Sequence, residues 1–260
     1  MLLQGKNILI TGSSRGIGRE MALAFAKQGS NVCVHYQFSE RNAFELVDQI
    51  HKEFGVGVFA VSANMNEPAS IAKLFETVAQ EWGHLDGLVL NAASGNRKKL
   101  LDQTQEDWNR ISGINVLGPV QCVKAALPLF KNKKGRAVFL SSEGARYGIP
   151  HYGAIGVTKA ALEGAVRQLT VELKETEISI NCVSATLVRT AALDAVTRGT
   201  MDIFKPEYFI DPKEIADLIS YLLSDLCPPS LKGQTIVLDN GTLVEFTPHF
   251  KEEFVHVPKS

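Results

Sequence analysis

The stretch TGSSRGIG, residues 11–18, decides how the rest of the chain is interpreted. It directly follows the short apolar run NILIT (7–11), and a segment with helical spacing comes after it. Gly12 permits a tight turn close to a ligand, and Gly16 and Gly18 allow a helix to pack tightly on a sheet. A helix that begins here offers unpaired N–H groups to a pyrophosphate. The order strand, glycine loop, helix therefore predicts a dinucleotide site rather than a plain glycine turn.

The same alternation continues along the chain. Apolar runs at 7–11, 31–36, 56–63, 85–93, 136–142, 178–184 and 234–241 alternate with helical segments at 17–28, 40–54, 68–82, 105–130, 152–174 and 211–225. The runs are apolar on both faces, as buried parallel strands covered by helices are. We predict a single-domain α/β fold over residues 1–241, built on a doubly wound parallel sheet. Residues 189–210 interrupt the pattern and are expected to form a substrate flap, and the tail 242–260 lies outside it.

Composition restricts the partners and the compartment. The net charge of −1 gives no reason to expect attraction to nucleic acid or to an anionic membrane. The N-terminus lacks the features of a signal peptide, and no apolar run is long enough to span a bilayer. The chain has four cysteines that stand far apart and form no CxxC motif. This pattern indicates a reducing, cytoplasmic location. The six histidines have no metal-ligand spacing, so each is expected to be structural and no metal site is predicted: they are His35, His51, His84, His151, His249 and His256.

The tip of the second strand bears on the choice of nucleotide. NAD-selective sites usually place an acidic residue there to hold the ribose hydroxyls. Here the tip reads Tyr36-Gln37-Phe38, and Arg15 in the glycine loop could meet a 2′-phosphate. These features favour NADPH over NADH. Glu40 is close enough to leave NADH open, and Arg15 could instead be a solvated loop residue.

Several motifs in order resemble those of the short-chain dehydrogenase/reductase family. They are TGSSRGIG, AN at 63–64, NAAS at 91–94, Asn115, SS at 141–142 and the tyrosine–lysine pair of YGAIGVTK at 152–159. The resemblance spans residues 5–241. It implies a single Rossmann-like domain, a nicotinamide cofactor and usually a homotetramer.

The resemblance also implies residue roles. Asn64 would border the adenine, Asn91 and Ala92 would line the ribose, and Val188 would lie near the carboxamide. The full set of implied cofactor positions is Gly12, Ser13, Ser14, Arg15, Gly16, Ile17, Gly18, Ser39, Asn64, Asn91, Ala92, Lys159 and Val188. The implied catalytic set is Tyr152, Lys159, Ser142 and Asn115.

The tyrosine departs from the ordinary family pattern. Ordinary members place it four residues before the lysine, where this chain has Ile155. Tyr152 stands seven residues before Lys159, as in the divergent branch dominated by enoyl-acyl carrier protein reductases, whose NADPH-dependent bacterial members this chain resembles. Tyr147 is the other candidate, and it ranks lower because a loop residue is harder to hold in place.

The spacing has a chemical reading. Seven residues are nearly two helical turns, so the phenol and the ammonium share one face about 10 Å apart along the axis, against about 6 Å for a gap of four. In ketone reduction the acid stands beside the carbon that receives hydride. In enoyl thioester reduction hydride goes to the β-carbon and charge develops on the remote thioester oxygen, which calls for a more distant donor.

Two further positions keep alternatives open. Ser142 lies where ordinary members keep a catalytic serine, with Ser141 as the less favoured neighbour, and its presence keeps a ketone-reducing enzyme possible. Asn115 could kink its helix to carry a water chain, or it could be a buried and structurally satisfied side chain.

The leading hypothesis is therefore an NADPH-dependent enoyl thioester reductase of fatty acid or polyketide biosynthesis. The alternatives are a reductase of a ketone or hydroxy group and a catalytically silent binding protein, and Lys159 with the glycine loop argues against the last. The cluster Arg97, Lys98 and Lys99 could dock an acidic acyl carrier protein or could be a solvated loop. Apolar residues of the flap could wall an acyl chain: Leu193, Val196, Met201, Phe204 and Phe209.

Overall fold

The protein is described by a computed structural model over residues 1–130, 134–188, 190 and 208–241. The strands are β1 (Asn7–Ile10), β2 (Asn31–Tyr36), β3 (Val58–Ser62), β4 (Gly87–Leu90), β5 (Lys134–Ser142), β6 (Glu177–Ala185), β7 (Leu187–Val188), β8 (Phe209–Ile210) and β9 (Thr235–Leu238). The α-helices are α1 (Gly16–Lys27), α2 (Glu40–Phe54), α3 (Pro68–Trp82), α4 (Gln105–Ser112), α5 (Gly118–Ala126), α6 (Gly153–Glu172) and α7 (Pro212–Leu223). These elements follow the alternation that the sequence predicts.

The main sheet has seven strands in the order β3-β2-β1-β4-β5-β6-β9, and every pairing is parallel. The first two connections build the sheet outward from β1 on one side, and the chain then crosses to β4 on the other. A crevice opens at such a reversal, outside the carboxyl ends of the strands. The predicted doubly wound, Rossmann-like sheet is confirmed, and its reversal lies between β1 and β4.

Two apolar layers fill the space between the sheet and its helices. One lies against α1, α2 and α7, with Phe25, Leu46 and Ile219 fully buried. The other lies against α3, α5 and α6, with Leu74 and Leu162 at its centre. Because both faces are covered, the strands carry no solvent-facing polar alternation, which is why they appeared as continuous apolar runs.

The predicted helix 105–130 is interrupted. A π turn, Gly113–Leu117, separates α4 from α5. A Cβ on Gly118 would lie 2.4 Å from the carbonyl oxygen of Met65, and one on Gly113 would collide with the side chain of Asn66. The helix therefore packs so closely on the segment after β3 that Gly118 leaves no room for a side chain, and a side chain at Gly113 would displace Asn66.

The segment predicted as a flap begins and ends at a small parallel pair. β7 and β8 form a separate two-stranded sheet, in which Leu187 pairs with Phe209 and Val188 with Ile210. Residues 189 and 191–207 of that segment lie outside the described residues, and with them Leu193, Val196, Met201 and Phe204. The tail from 242 lies outside them as well. Within the described ranges, no helix is both long and apolar enough to cross a membrane.

Candidate active site

The glycine loop leaves the amino end of α1 open. Arg15 is the N-cap residue of α1 but its side chain makes no capping bond, and the first turn carries no acidic residue. Gly16 has φ of +58°, and an added Cβ there would meet nothing within 4 Å. Free N–H groups at an uncapped helix start bind phosphate oxygens. The residues present therefore fit the pyrophosphate of a nicotinamide dinucleotide.

Close packing beneath the loop explains its other glycines. Gly12 has φ of +65°, and a Cβ there would lie 2.9 Å from the Cα of Ala92. A Cβ on Gly18 would lie 2.4 Å from the Gly12 carbonyl oxygen. Asn91 donates from Nδ2 to the carbonyl oxygens of Thr11 and Gly12, each at 2.9 Å. The Asn91 side chain thus supports the loop, in addition to any contact with ribose.

Thr11 is a contributor that the sequence analysis missed. Its Oγ accepts hydrogen bonds from the backbone N–H groups of Asn91 and Ala92, both at 3.0 Å, and donates to the Val89 carbonyl. It thereby joins the carboxyl ends of β1 and β4, the two strands that border the crevice. Its place at the start of the quoted glycine stretch was the available signal.

The tip of β2 carries no free carboxylate. The Tyr36 hydroxyl donates to Glu40 at 3.2 Å, so Glu40 already has a partner in the first turn of α2. Arg15 is exposed and forms no ion pair with any described residue. Ser39 is the N-cap residue of α2 without a side-chain capping bond. The Arg15 guanidinium and the Ser39 hydroxyl are therefore left beside the expected adenosine end of the site.

The other implied cofactor residues lie at the same edge of the sheet. Asn64 follows β3, and its side chain holds a local turn by donating to Glu67 at 2.7 Å and accepting from the Asn66 N–H at 3.0 Å. Val188 is buried in β7, just beyond β6. The structure therefore places both at strand ends, with the Asn64 amide already engaged in a turn.

Tyr152 lies beside Ser142. It immediately precedes α6, and its Oη is 3.2 Å from Ser142 Oγ. Burial raises the pKa of Tyr152, the bond with Ser142 opposes this, and the nearby Glu143 charge adds to the rise. The phenol is therefore protonated at neutral pH and can act as a donor. Tyr147 is half-exposed on the preceding loop, which favours Tyr152 as the acid.

Glycines make room for this arrangement. A Cβ on Gly144 would lie 2.5 Å from Tyr152 Cε1, so the ring packs directly on the backbone there. Ile155 stands where ordinary family members have tyrosine, and its Cδ1 would lie 2.3 Å from a Cβ on Gly95. The usual tyrosine position is thus filled by an aliphatic group, and the phenol reaches Ser142 from the start of the helix.

Lys159 is buried next to the end of β5. Its Nζ donates to the Leu140 carbonyl at 2.6 Å, and only 7% of the residue is exposed. Burial lowers the pKa of Lys159 to about 8, against opposing contributions from Cys182 and Glu163. Lys159 is therefore still mostly charged at neutral pH, but it loses its proton at a lower pH than a surface lysine does.

The Ser141 hydroxyl is directed to an ion pair formed by buried Glu163 and exposed Arg146. The hydroxyl donates to Glu163 at 2.8 Å, and Arg146 pairs with the same carboxylate at 3.1 Å. Of the two neighbouring serines, Ser142 is therefore the one next to the phenol.

Asn115 is fully hydrogen-bonded within the π turn. Its Oδ1 accepts from the Ser94 N–H at 2.7 Å, and its Nδ2 donates to the Ser94 carbonyl and to Thr158 at 2.9 and 3.0 Å. The helix is interrupted at this residue, as the kink hypothesis predicted. The side chain itself matches the alternative of a buried, satisfied asparagine, and it fixes the loop after β4.

The basic cluster is partly committed to internal contacts. Asp107 accepts from Lys98 and from Asn96, each at 2.6 Å. The bond from Lys98 and the backbone bond from Thr104 lower the pKa of Asp107 to about 2. Lys99 is exposed on the same loop. Among the described residues, no group of three or more acidic, histidine or cysteine side chains could hold a metal ion.

Comparison with known proteins places this geometry in a family. A family model described as enoyl-(acyl carrier protein) reductase matches residues 12–242. The chain belongs to the short-chain dehydrogenase/reductase family. It is 34% identical over 256 residues to a 1-cyclohexenylcarbonyl-CoA reductase of Streptomyces collinus, covering 94% of this chain and 89% of that protein. It is 30% identical to a 3-oxoacyl-[acyl-carrier-protein] reductase of Staphylococcus aureus, covering 91% and 97%.

Solved structures of other family members share the fold. The L-sorbose reductase of Gluconobacter frateurii, complexed with NADPH and L-sorbose, superposes with a TM-score of 0.86 at 25% identity, covering 94% of this chain and 98% of that one. An enoyl-(acyl-carrier-protein) reductase of Anaplasma phagocytophilum, in complex with NAD, superposes with a TM-score of 0.81 at 29% identity, covering 94% of each. The chain is therefore an oxidoreductase of the short-chain type, and its relatives act on both unsaturated and oxo substrates.

Proposed function

We propose that this chain reduces the carbon–carbon double bond of an enoyl thioester with NADPH. The observation that carries the proposal is the position of the phenol: Tyr152 contacts Ser142 from the start of α6, while Ile155 occupies the usual tyrosine position. The match to the enoyl-(acyl carrier protein) reductase model and to the Streptomyces relative, whose name contains an unsaturated acyl thioester, supports the same reaction.

NADPH bound at the glycine loop would supply a hydride, which goes to the β-carbon in this reaction. Tyr152 would donate a hydrogen bond to the thioester oxygen, where negative charge develops, and the resulting enolate would take a proton from solvent at its α-carbon to complete the reduction. Ser142 holds the phenol in place through the 3.2 Å contact. Lys159 would bind the ribose hydroxyls through its ammonium, which the Leu140 carbonyl directs. The chain thus supplies orientation and charge stabilisation at an oxygen remote from the hydride acceptor.

NADPH is the proposed nucleotide because of the charges at the adenosine end. Arg15 is exposed without an ion-pair partner among the described residues, and the β2 tip lacks a free carboxylate. A guanidinium binds a 2′-phosphate in bidentate fashion. The sorbose reductase, which is complexed with NADPH, supports the same choice.

A ketone-reducing activity is the second candidate. The contact between Ser142 and Tyr152 is a pair of hydroxyls that could grip one carbonyl oxygen, which is the arrangement that carbonyl reduction needs. The 3-oxoacyl-[acyl-carrier-protein] reductase relative favours it as well.

One assay pair separates the two candidates. NADPH oxidation is followed with crotonyl and acetoacetyl thioesters of coenzyme A and of an acyl carrier protein, for the wild type and Tyr152→Phe. We expect turnover of crotonyl thioesters, and a fall in kcat of about 100-fold or more in Tyr152→Phe with unchanged NADPH affinity. Turnover of acetoacetyl thioesters alone would replace the leading proposal with the second, and unaltered turnover by Tyr152→Phe would refute the role of the phenol.

Three further expectations remain proposals. An acyl carrier protein would dock near Arg97 and Lys99, which are exposed on the loop after β4. A homotetramer is supported by exposed apolar side chains at Leu117 and Val157, which subunit contacts would cover. A cytoplasmic location is supported by four buried cysteines with free thiols. Light scattering of the purified protein tests the second directly, because a monomeric mass would contradict it.

A further inference from the structure

His35 contacts the glycine loop from beneath. It lies at the carboxyl end of β2, only 2% of it is exposed, and its Nδ1 accepts a hydrogen bond from the Gly12 N–H at 2.8 Å. Its Nε2 lies 3.0 Å from the carbonyl oxygen of Ala63. A backbone N–H can only donate and a carbonyl can only accept. The ring must therefore be neutral, with its hydrogen on Nε2.

The ionisation of the ring agrees with this tautomer. Burial lowers the pKa of His35 to about 4, and the bond to the Ala63 carbonyl opposes the shift only partly. The neutral ring is therefore the prevailing form at physiological pH. Protonation of Nδ1 would turn it into a donor that faces the Gly12 N–H, which is also a donor, and the hydrogen bond would be lost.

The peptide units on both sides of Gly12 are fixed. His35 holds the Gly12 N–H, and Asn91 holds the Gly12 carbonyl at 2.9 Å. The next residue is fixed by β2 as well: the Ser13 N–H donates to the His35 carbonyl, and Ser13 Oγ accepts from the His35 N–H, both at 3.0 Å. The first glycine of the loop is thus set by side chains from β2 and from the end of β4.

The other ring nitrogen reaches the next strand. Ala63 follows β3 and directly precedes Asn64, the residue expected at the adenine. One imidazole therefore links the pyrophosphate loop to the segment at the adenosine end of the site.

We propose that His35 is a positioning residue for the nucleotide, which sets the Gly12 peptide through Nδ1 and couples it to the Ala63 segment through Nε2. It does not touch the cofactor. The inference rests on the proposed nicotinamide dinucleotide site and is independent of which substrate is reduced. A buried histidine that only fills space would need neither hydrogen bond, whereas here each ring nitrogen has its own partner and its own role.

Two conservative replacements separate the nitrogens. The side-chain oxygen of asparagine takes nearly the place of Nδ1, and the amide of glutamine takes nearly the place of Nε2. His35→Asn can therefore keep the bond to Gly12 and lose the one to Ala63, whereas His35→Gln does the reverse. His35→Leu removes both bonds at similar volume.

The experiment measures dissociation constants of NADPH and NADH by calorimetry, with the melting temperature of each free variant measured alongside. We expect His35→Asn, which loses only the bond to Ala63, to bind about 3-fold more weakly than the wild type. We expect His35→Gln to bind about 10-fold more weakly, since one lost acceptor for a buried donor has about that effect. The loss should be the same factor for NADPH and NADH, because both carry the pyrophosphate.

Equal affinities for the asparagine and glutamine variants, or affinities that follow only the melting temperatures, would overturn the proposal. If His35→Leu fails to fold, the asparagine and glutamine pair still decides the matter. Binding is measured without substrate, so inactivity towards enoyl thioesters would remove the proposed reaction and leave this comparison intact.

Discussion

Lys159 is buried where water has little access, and we expect this burial to set the upper pH limit of the site. Its pKa is lowered to about 8, chiefly by burial, from an ordinary value of 10.5. The ammonium that is proposed to hold the ribose hydroxyls is therefore lost in a range where most lysines stay charged.

We predict that kcat/KM declines as pH rises through about 8, while the affinity for NADPH falls in parallel. Protein stability should not cause the decline. Between the folded pKa of about 8 and the unfolded value of 10.5, the unfolded chain retains a proton that the folded chain has lost. The contribution of this group to the free energy of unfolding therefore increases with pH in that window.

Rate profiles and NADPH titrations from pH 6 to 9.5, with melting temperatures at each pH, test this prediction. A flat profile up to pH 9.5 would show that the lysine keeps its charge or does not contribute. A fall in activity that merely follows a fall in melting temperature would be equally contrary.

The turn Glu143–Ala145 and the start of α6 are matched in shape. The Tyr152 ring packs on Gly144, where an added Cβ would come within 2.5 Å of Cε1 and 2.6 Å of Cδ1. Gly148 lies on the same loop, and a Cβ there would meet nothing within 4 Å. One glycine is therefore required by the ring, and the other is not.

We predict that Gly144→Ala lowers kcat about 10- to 100-fold by displacing the phenol, since an ångström of misplacement can cost about 100-fold. NADPH affinity should stay within about 2-fold, because the glycine loop is untouched. Gly148→Ala is the matched control and should keep full activity. Steady-state kinetics and calorimetry measure both effects, and equal kcat for the two variants would exclude a role for the close fit.

The elements also show which features the sequence could predict. The bounds predicted for α2 and α3 agree with the structure. The Asp211 side chain caps α7 by accepting a hydrogen bond from the Lys213 N–H, and Pro212 lies in the first turn. Local signals of this kind are contained in a few adjacent residues. The π turn interrupts the helix predicted over 105–130 at Asn115, the residue that was proposed to kink it. The close packing of Gly113 and Gly118 on the distant segment after β3 was not visible in the sequence.

The residues of the candidate site show the same contrast between local signals and contacts that depend on the fold. Tyr152, Ser142 and Lys159 were proposed as site residues from the sequence, and the structure places Tyr152 directly before α6, Lys159 within α6 and Ser142 at the end of β5. His35 was expected to be structural. Its contacts with Gly12 and Ala63 could not be foreseen, because they form only when three strand ends come together in the sheet. Contacts across neighbouring strands depend on sheet order, which a single sequence does not display directly.

At the scale of the whole molecule, the reversal between β1 and β4 makes the nucleotide site a joint between two halves of the sheet. Thr11 and Asn91 bond across it, and Gly12 packs against Ala92. A nucleotide that binds only the folded chain stabilises that chain by an amount that grows with the logarithm of the ratio of its concentration to its Kd. Thermal unfolding can therefore report the choice of nucleotide without any knowledge of the substrate.

We predict that NADPH at 100 times its Kd raises the melting temperature by about 5–10 °C, since this corresponds to about 2.7 kcal/mol. NADH at the same concentration should raise it clearly less. Arg15→Ala should reduce the NADPH shift to about half, as a tenfold loss of affinity would, and leave the NADH shift unchanged. Lys27→Ala, which removes an exposed charge at the opposite end of α1, is the matched control and should behave like the wild type. Equal shifts with the two nucleotides in the wild type would mean that Arg15 does not bind the 2′-phosphate, and that the absence of a free carboxylate at the β2 tip does not select NADPH.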